Sequence, residues 1–459
     1  MEPYDPKRIE EEVIRFWKNK NIYEKVRKLR KGRKPFYFID GPPYATGSIH
    51  MGTAWNKIIK DVYIRFWRMW GFNVWDQPGY DTHGTPIELQ VEKELKFKNK
   101  KDIENYGISR FIQKCRQFAT KYIDVMSNQF ADLGVWMDWK NPYLTLKNDY
   151  IEGVWFTFKK AHGRGFLYKG GYPVHVCPRC ETVVAYNEVD YTKLTDTSIY
   201  VKFPVKGEKN KFLVIWTTTP WTLPGNTGVM VHPKFKYVEV QLGNGEIWII
   251  AKERFQELME SIEAGYRVLR EFPGKELKDL QYTAPLEKYI KFPGLKKAYR
   301  IILSERYVNL EEGTGLVHTA PGHGKEDFDE GTKHGLPVVC PVEISGLMTK
   351  EAGKYAGKRA REVDQEIVRD LEELGLLAYK HPYTHDYPIC WRCDTPLLMI
   401  NVPQWFFRVT AIRKKLLQEN KKVKWIPKWA GERFKDWLEN LSDWPVSRQR
   451  YWGIPLPIW

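Results

Sequence analysis

Four groups of residues have side chains whose type and spacing suit chemistry. His50 and Gly52 stand at the start of a helical pattern, after Gly41-Pro42-Pro43-Tyr44-Ala45-Thr46-Gly47-Ser48-Ile49. An imidazole there can donate a hydrogen bond to a phosphate, and the glycine lets a nucleotide approach the unpaired N–H groups of a helix start. Asp81, in Gly79-Tyr80-Asp81-Thr82-His83-Gly84, could hold an ammonium group by a charge-assisted hydrogen bond, and could equally stabilise a turn. Cys177-Pro178-Arg179-Cys180 and Cys390-Trp391-Arg392-Cys393 are two Cys-x-x-Cys pairs. Four thiolates so arranged close a tetrahedral zinc site, whereas either pair alone would also suit redox work; His175 is a rival ligand. Finally, Thr217-Thr218-Thr219 with Asn226, and His318 with His323 and Asp327, bring hydroxyls, imidazoles and a carboxylate into Gly-rich text. These are the parts of a hydrolytic pocket: an ammonium anchor, donors for a developing oxyanion and a hold on water. Threonine-rich strand ends are also ordinary β-structure.

Elements must position these groups. Phe36-Tyr37-Phe38-Ile39 predicts an inner strand of a parallel sheet, ended by glycines and prolines that cannot continue it. From Ala54 the pairs Ala54/Trp55, Ile58/Ile59, Val62/Tyr63, Phe66/Trp67 and then Trp70 predict a helix with one buried apolar face, with Ser48 as its N-cap. Phe72-Asn73-Val74-Trp75 predicts a second strand. Ligands of open α/β sheets bind beyond the carboxyl ends of strands, so His50 and Asp81 are expected on opposite lips of one nucleotide-sized cleft. Residues 5–31 read as an N-terminal helix with Ile9, Val13, Phe16 and Trp17 on its apolar side, and 102–170 as further helices. Between the cysteine pairs, short alternating segments broken by Gly and Pro predict a β-rich, barrel-like domain whose two feet the zinc would clamp.

Composition narrows the class. A chain of 459 residues is expected to form two or three domains. No apolar run suits a bilayer span, and the start Met1-Glu2-Pro3-Tyr4-Asp5-Pro6 lacks a signal-peptide core, so a soluble cytoplasmic protein is expected. A net charge of +16, with 19 Trp and 26 Tyr, suits a polyanionic partner, and Lys25–Lys31 and Lys414–Lys424 are basic runs that could follow a nucleic-acid backbone. Each run also reads as a solvated face.

The segment Pro42-Pro43-Tyr44-Ala45-Thr46-Gly47-Ser48-Ile49-His50-Met51-Gly52 resembles the HIGH signature of class I aminoacyl-tRNA synthetases, most closely the archaeal type of isoleucyl-tRNA synthetase. The second His of that signature is Thr53 here. Gly79 to Glu88 is similar to the family's Gly-(aromatic)-Asp-x-His-Gly-x-Pro-Ile-Glu segment, and Asp443 to Trp459 to the stretch that re-enters the nucleotide-binding fold. Thr-Thr-Thr-Pro-Trp-Thr at 217–222 and the His318…Asp327 loop resemble the editing insertion of the isoleucine, valine and leucine enzymes.

The resemblance implies an α/β fold: the first half of a Rossmann-type nucleotide-binding domain, a zinc-knuckle connective region and an inserted β-barrel-like editing domain. Its boundaries would be a helical segment at 1–35, catalytic half at 36–165, connective region at 166–197 and 386–440, editing domain at 198–385, and the start of the second catalytic half at 441–459. By transfer, His50, Gly52 and Asp81 are catalytic, and Pro42, Pro43, Tyr44, Gly47, His83, Gly84 and Trp452 join them in binding ATP and isoleucine. Thr217, Thr218, Thr219 and Asn226 would orient water and ester, His318 would bound the editing pocket and Asp327 would bind the ammonium. Cys177, Cys180, Cys390 and Cys393 would hold Zn²⁺. The implied partners are isoleucine, ATP with Mg²⁺, and isoleucine-specific tRNA. No KMSKS lysine loop is present, since Leu347-Met348-Thr349-Lys350-Glu351 lies inside the insertion. A second polypeptide supplying the remaining half is therefore one expectation, and a stand-alone editing or tRNA-binding fragment, or a valyl or leucyl relative, is the alternative.

Overall fold

In the computed structural model, which describes residues 5–185, 188–292 and 295–459, the chain divides into two units: Met1–Gly165 with Arg450–Trp459, and Phe166–Gln449. Met1–Tyr4, part of the N-terminal stretch read above, lie outside the described residues. The first unit is helical with short parallel strands. Asn21, in the left-handed region at φ 50°, splits the expected N-terminal helix into Pro6–Lys20 and Ile22–Arg30. Asparagine tolerates that conformation better than most residues. Pro35–Tyr37 pairs in parallel with Asn73–Trp75, placing Phe36 beside Val74, and Gly79–Tyr80 pairs in parallel with Tyr143–Leu144. The expected inner strand is shorter and more open than its sequence suggested. Tyr37 and Ile39 are exposed, because among the described residues the strand has a neighbour on one edge only.

The helix after the Gly/Pro turn, Met51–Met69, reverses the face predicted for burial. Trp55, Ile58, Ile59, Val62, Tyr63, Phe66 and Trp70 all point outward, Trp55 and Trp70 at 69% and 70% exposure. Its buried side is Ala54, Lys57, Asp61, Ile64 and Arg68. Charges can occupy that side because each finds a partner, which removes most of the desolvation cost. Lys57 pairs with Asp40, and Arg68 with Asp76. Asp61 accepts Nη2 of Arg65 at 2.7 Å and the Trp136 N–H at 2.8 Å. Helical periodicity identified the helix correctly; two stripes shared the period, and the ion pairs chose between them.

The second unit is β-rich. Its nine-stranded sheet runs Tyr266–Pro273, Lys236–Leu242, Ile247–Ala251, Lys211–Thr217, Leu316–Thr319, Gly228–Val231 and Arg300–Leu303, with Val189–Pro204 and Leu377–Cys390 branching from Lys211–Thr217. A core including Ile199, Val201, Phe203, Leu213, Ile215, Val229 and Tyr355 fills it. Val189–Pro204 and Leu377–Cys390 form a long antiparallel ribbon, in register from Tyr379 beside Tyr200 to Cys390 beside Val189, with a shift between Leu377 and Tyr379. At its foot lies a four-stranded sheet in the order Trp444–Pro445, Leu398–Phe407, Leu167–Cys177, Thr182–Val183. Among the described residues, no helix is long and apolar enough to cross a membrane.

Candidate functional site

His50 is itself the N-cap of Met51–Met69, in place of the expected Ser48. Its Nδ1 accepts the Gly52 N–H at 3.1 Å, while its own N–H is taken by Thr53 Oγ1 at 3.0 Å. Thr53, the departure from the HIGH pattern, thus closes a reciprocal capping box. Around this helix start lies a cavity of about 260 Å³ lined by Gly41, Pro42, Pro43, His50, Gly52, Thr53, Asn56, Lys57 and Phe130. Lys57 was not legible as a lining residue. It sits against Asp40, whose buried carboxylate also accepts Lys60 Nζ at 2.7 Å and the Gly79 N–H at 3.0 Å. Burial pulls the Lys57 ammonium below its usual range, and Asp40 opposes that shift. The backbone N–H groups of this helix start make it a place for an anion.

Asp81 does not line that cavity, nor do Tyr44, Gly47, His83, Gly84 or Trp452. The two groups are joined through backbone: the Asp81 N–H donates to Pro43 O at 2.9 Å and the Ala45 N–H to Asp81 O at 3.1 Å. Asp81 Oδ1 accepts the His83 N–H and Thr145 Oγ1, both at 3.3 Å, and burial raises its carboxyl above the ordinary range. The His83 ring is pulled down to about 4, chiefly by burial and then by Arg116, and meets Trp452 edge-on at 5.0 Å. Trp452 is buried, its Nε1 donating to Thr82 O at 2.8 Å and its carbonyl accepting the Gly84 N–H at 3.0 Å.

What holds Trp452 there is Glu88, a fully buried carboxylate that accepts the Tyr451 and Trp452 N–H groups at 2.9 and 2.6 Å and pairs with Arg450. Arg450 reaches Glu92 as well. Replacing Arg450 by Ala would take the guanidinium from two buried carboxylates, so unfolding free energy of the first unit should fall by about 3–5 kcal/mol in urea denaturation. A loss below about 1 kcal/mol would mean the segment is held otherwise.

The second unit holds a cavity of about 350 Å³ lined by Trp216, Thr217, Thr218, Thr219, Thr222, Tyr307, Asn309, Glu312–Val317, His318, Ala320, His323 and Asp327. It gathers every sequence-predicted residue of the hydrolytic set except Asn226, which is buried behind it. Thr217 Oγ1 accepts the Thr219 N–H at 3.1 Å, which turns the chain out of the strand. Asp327 lies in the first turn of Lys325–Lys333 and accepts the Ala320 N–H at 3.0 Å. Gly324 admits it, since a Cβ there would come within 2.8 Å of its carboxylate oxygen. Burial, partly offset by that N–H, pushes the Asp327 carboxyl up to about 7. A carboxyl so desolvated favours a cationic companion that would restore its charge. His318 is pulled down to about 3 by burial and by His323, and His323 to about 4 by burial, so both rings are neutral at pH 7. Thr222 was missed as a lining residue; it stands inside the quoted motif, and only the fold turns it inward.

Cys177, Cys180, Cys390 and Cys393 converge at the foot of the ribbon, their sulfurs all within 4.8 Å of one another. Cys393 Sγ is 3.5 Å from Cys177 Sγ and 3.6 Å from Cys180 Sγ, and no disulfide joins them. Bonds of about 2.3 Å to one tetrahedral zinc would set the sulfurs ~3.8 Å apart. The cluster therefore fits a metal of that size. His175 is not part of it.

The family described as tRNA synthetases class I (I, L, M and V) matches residues 12–459. The chain is 50% identical over 468 residues to the isoleucine–tRNA ligase of Pyrococcus furiosus, covering 99% of this chain and 44% of that one. It is 49% identical over 459 residues to the isoleucine–tRNA ligase of Methanothermobacter thermautotrophicus, covering 99% and 43%. It spans less than half the length of these relatives. The crystal structure of GlLeuRS-CP1 aligns with 41% of this chain and 100% of its own at 15% identity, with a TM-score of 0.33. On the match that runs from residue 12 to the last residue, the chain belongs to the class I tRNA synthetase family of the I, L, M and V enzymes.

Proposed function

We propose that this chain is the N-terminal part of an isoleucine–tRNA ligase, which activates isoleucine with ATP and Mg²⁺, transfers it to isoleucine-specific tRNA and hydrolyses valine misattached to that tRNA. The observation that carries the reading is the identity of about one half, across 99% of the chain, with proteins of that name. In this reading His50, Gly52 and the adjoining backbone N–H groups receive the nucleotide phosphates, with Lys57 as a nearby cation, and Asp81 receives the ammonium of isoleucine beside His83 and Trp452. A cytoplasmic location goes with it.

The hydroxyl-rich cavity is assigned to editing. One missing methylene changes binding by only about 1–3 kcal/mol, the established case of isoleucine against valine, so a second, hydrolytic selection is needed. Asp327 would hold the ammonium of the misattached residue while Thr217, Thr218 and Thr219 orient water toward the ester carbonyl. The C–O bond to the tRNA ribose breaks as a new C–O bond to water forms, and the proton passes to the leaving ribose oxygen. Zn²⁺ at the four cysteines would be structural, binding the two feet of the ribbon.

Transfer RNA is the proposed polyanionic partner. Lys414, Lys415, Lys421, Lys424, Lys428 and Arg433 are exposed around the helices Arg413–Asn420 and Trp429–Glu439, interleaved with exposed Val423, Ile426 and Trp429. The outward apolar face of Met51–Met69 supports a further packing partner: α/β chain supplied in the same or a second polypeptide. The decisive test is isoleucine-dependent ATP–pyrophosphate exchange. The chain alone should give negligible exchange, and a polypeptide carrying the remaining part of the relatives should restore it by at least roughly 100-fold, comparable to removing one group that stabilises the transition state. Robust exchange by the chain alone would refute the need for a partner. Deacylation without exchange under every condition would favour the second reading, an editing hydrolase, which the enclosure of the hydroxyl cavity within the second unit allows.

A further inference from the structure

Asn226 is buried and lines no part of the hydroxyl-rich cavity, yet its amide touches His318, which does. We propose that Asn226 and Thr222 are positioning residues that together occupy both ring nitrogens of His318, fixing one tautomer and turning the imidazole into a rigid wall of the cavity. The proposal rests on the editing reading for its consequence but on hydrogen bonding alone for its geometry.

The direction of each bond is determined by its chemistry. Asn226 Nδ2 lies 2.9 Å from Gly228 O and 2.8 Å from His318 Nδ1, while Asn226 Oδ1 accepts the Tyr282 hydroxyl at 2.6 Å. A carbonyl oxygen on one side and a hydroxyl on the other leave the amide one orientation. An amide nitrogen only donates, so Nδ1 of His318 must accept and carries no proton. On the opposite edge, Thr222 Oγ1 is 3.0 Å from His318 Nε2 and 2.8 Å from Thr219 O. With Nδ1 accepting, the proton of the neutral ring is on Nε2, and the Thr222 hydroxyl turns its own proton to the Thr219 carbonyl. Thr222 then accepts from His318. Tyr282, Asn226, His318, Thr222 and the Thr219 carbonyl form a one-way relay reaching from the core to the turn of the threonine motif.

With both nitrogens engaged by protein, His318 offers the cavity a carbon edge. It therefore acts by shape and takes no proton from water or substrate. An imidazole held at both nitrogens cannot rotate to make room for one more methylene, so selection between two esters differing by that methylene depends on a residue the ester never touches.

The test combines spectroscopy with a competition of substrates, using the full chain. Imidazole ¹⁵N shifts of His318 between pH 6 and 8 should show a bare Nδ1 and a protonated Nε2. Asn226→Asp replaces the donor by an acceptor of the same shape and should move the proton to Nδ1. In that variant, and in Thr222→Val, the ratio of hydrolysis rates for valyl- over isoleucyl-tRNA should fall about 5- to 50-fold, within the discrimination a single methylene supports. Thr222→Ser should retain the ratio. A wild-type ring that is charged or protonated on Nδ1 overturns the assignment, whether or not the variants fold. An unchanged ratio in Thr222→Val overturns the wall. Absence of hydrolysis of either ester by the wild-type chain would refute the editing reading while the tautomer result still decides the geometry.

Discussion

Stripping the metal from the four-cysteine site, or replacing Cys393 by Ser, should lower the thermal midpoint of the second unit by roughly 10 °C or more, because the binding energy of a structural zinc is folding energy. The site joins sulfurs that approach within 4.8 Å from two knuckles at the foot of one ribbon. Three of the four cysteines are buried, so without an ion their thiols would face one another with little water. Metal analysis of folded protein should give one zinc per chain. A folded sample without metal, and with its melting point unmoved by chelator, would remove the site from the account.

Asp327→Ala should reduce deacylation of valyl-tRNA by at least roughly 100-fold, the scale expected when a substrate-anchoring charge is lost in a desolvated site. The pH dependence carries a sign. The Asp327 carboxyl rises from 3.8 to about 7 on folding, through burial, so the folded chain holds its proton more tightly than the unfolded chain. Stability from this group is therefore fully present below pH ~4 and is lost as pH rises through about 7. Asp327→Asn should accordingly be more resistant to urea than the wild type at pH 8 and indistinguishable from it below pH 4. Hydrolysis by the wild type should rise through the same interval as the carboxylate forms. Equal urea midpoints for both proteins at pH 8 would contradict the burial of this carboxyl.

Identity and spacing made some of this legible. The Cys-x-x-Cys pairs named their own convergence, and the polar residues after the strand ending at Thr217 named the cavity, because those side chains have few other uses in that company. Asp40 gave no such signal: it reads as a residue entering a turn, yet it gathers Lys57, Lys60 and the Gly79 N–H. The Met51–Met69 helix misled for a physical reason. Lys57, Asp61, Ile64 and Arg68 repeat with the helical period as faithfully as the aromatic stripe does, and hydropathy alone cannot see that their charges are paired. Asn226 was read as facing the substrate, and it stands behind His318 because the following strand, Gly228–Val231, pairs with Leu316–Thr319 and brings the two side chains together in the core.

The ribbon's closure also sets a clock. Cys393 lies 216 residues beyond Cys177, so on a ribosome adding about 5–20 residues per second the first knuckle waits roughly 10–40 s for its counterpart. Through that interval two nascent thiols stand two residues apart with their sheet unfinished, open to oxidants and to mismatched ions. Synthesis under oxidising conditions should thus yield a subpopulation locked by a Cys177–Cys180 cross-link, recoverable by reductant before the chain is complete and trapped afterwards.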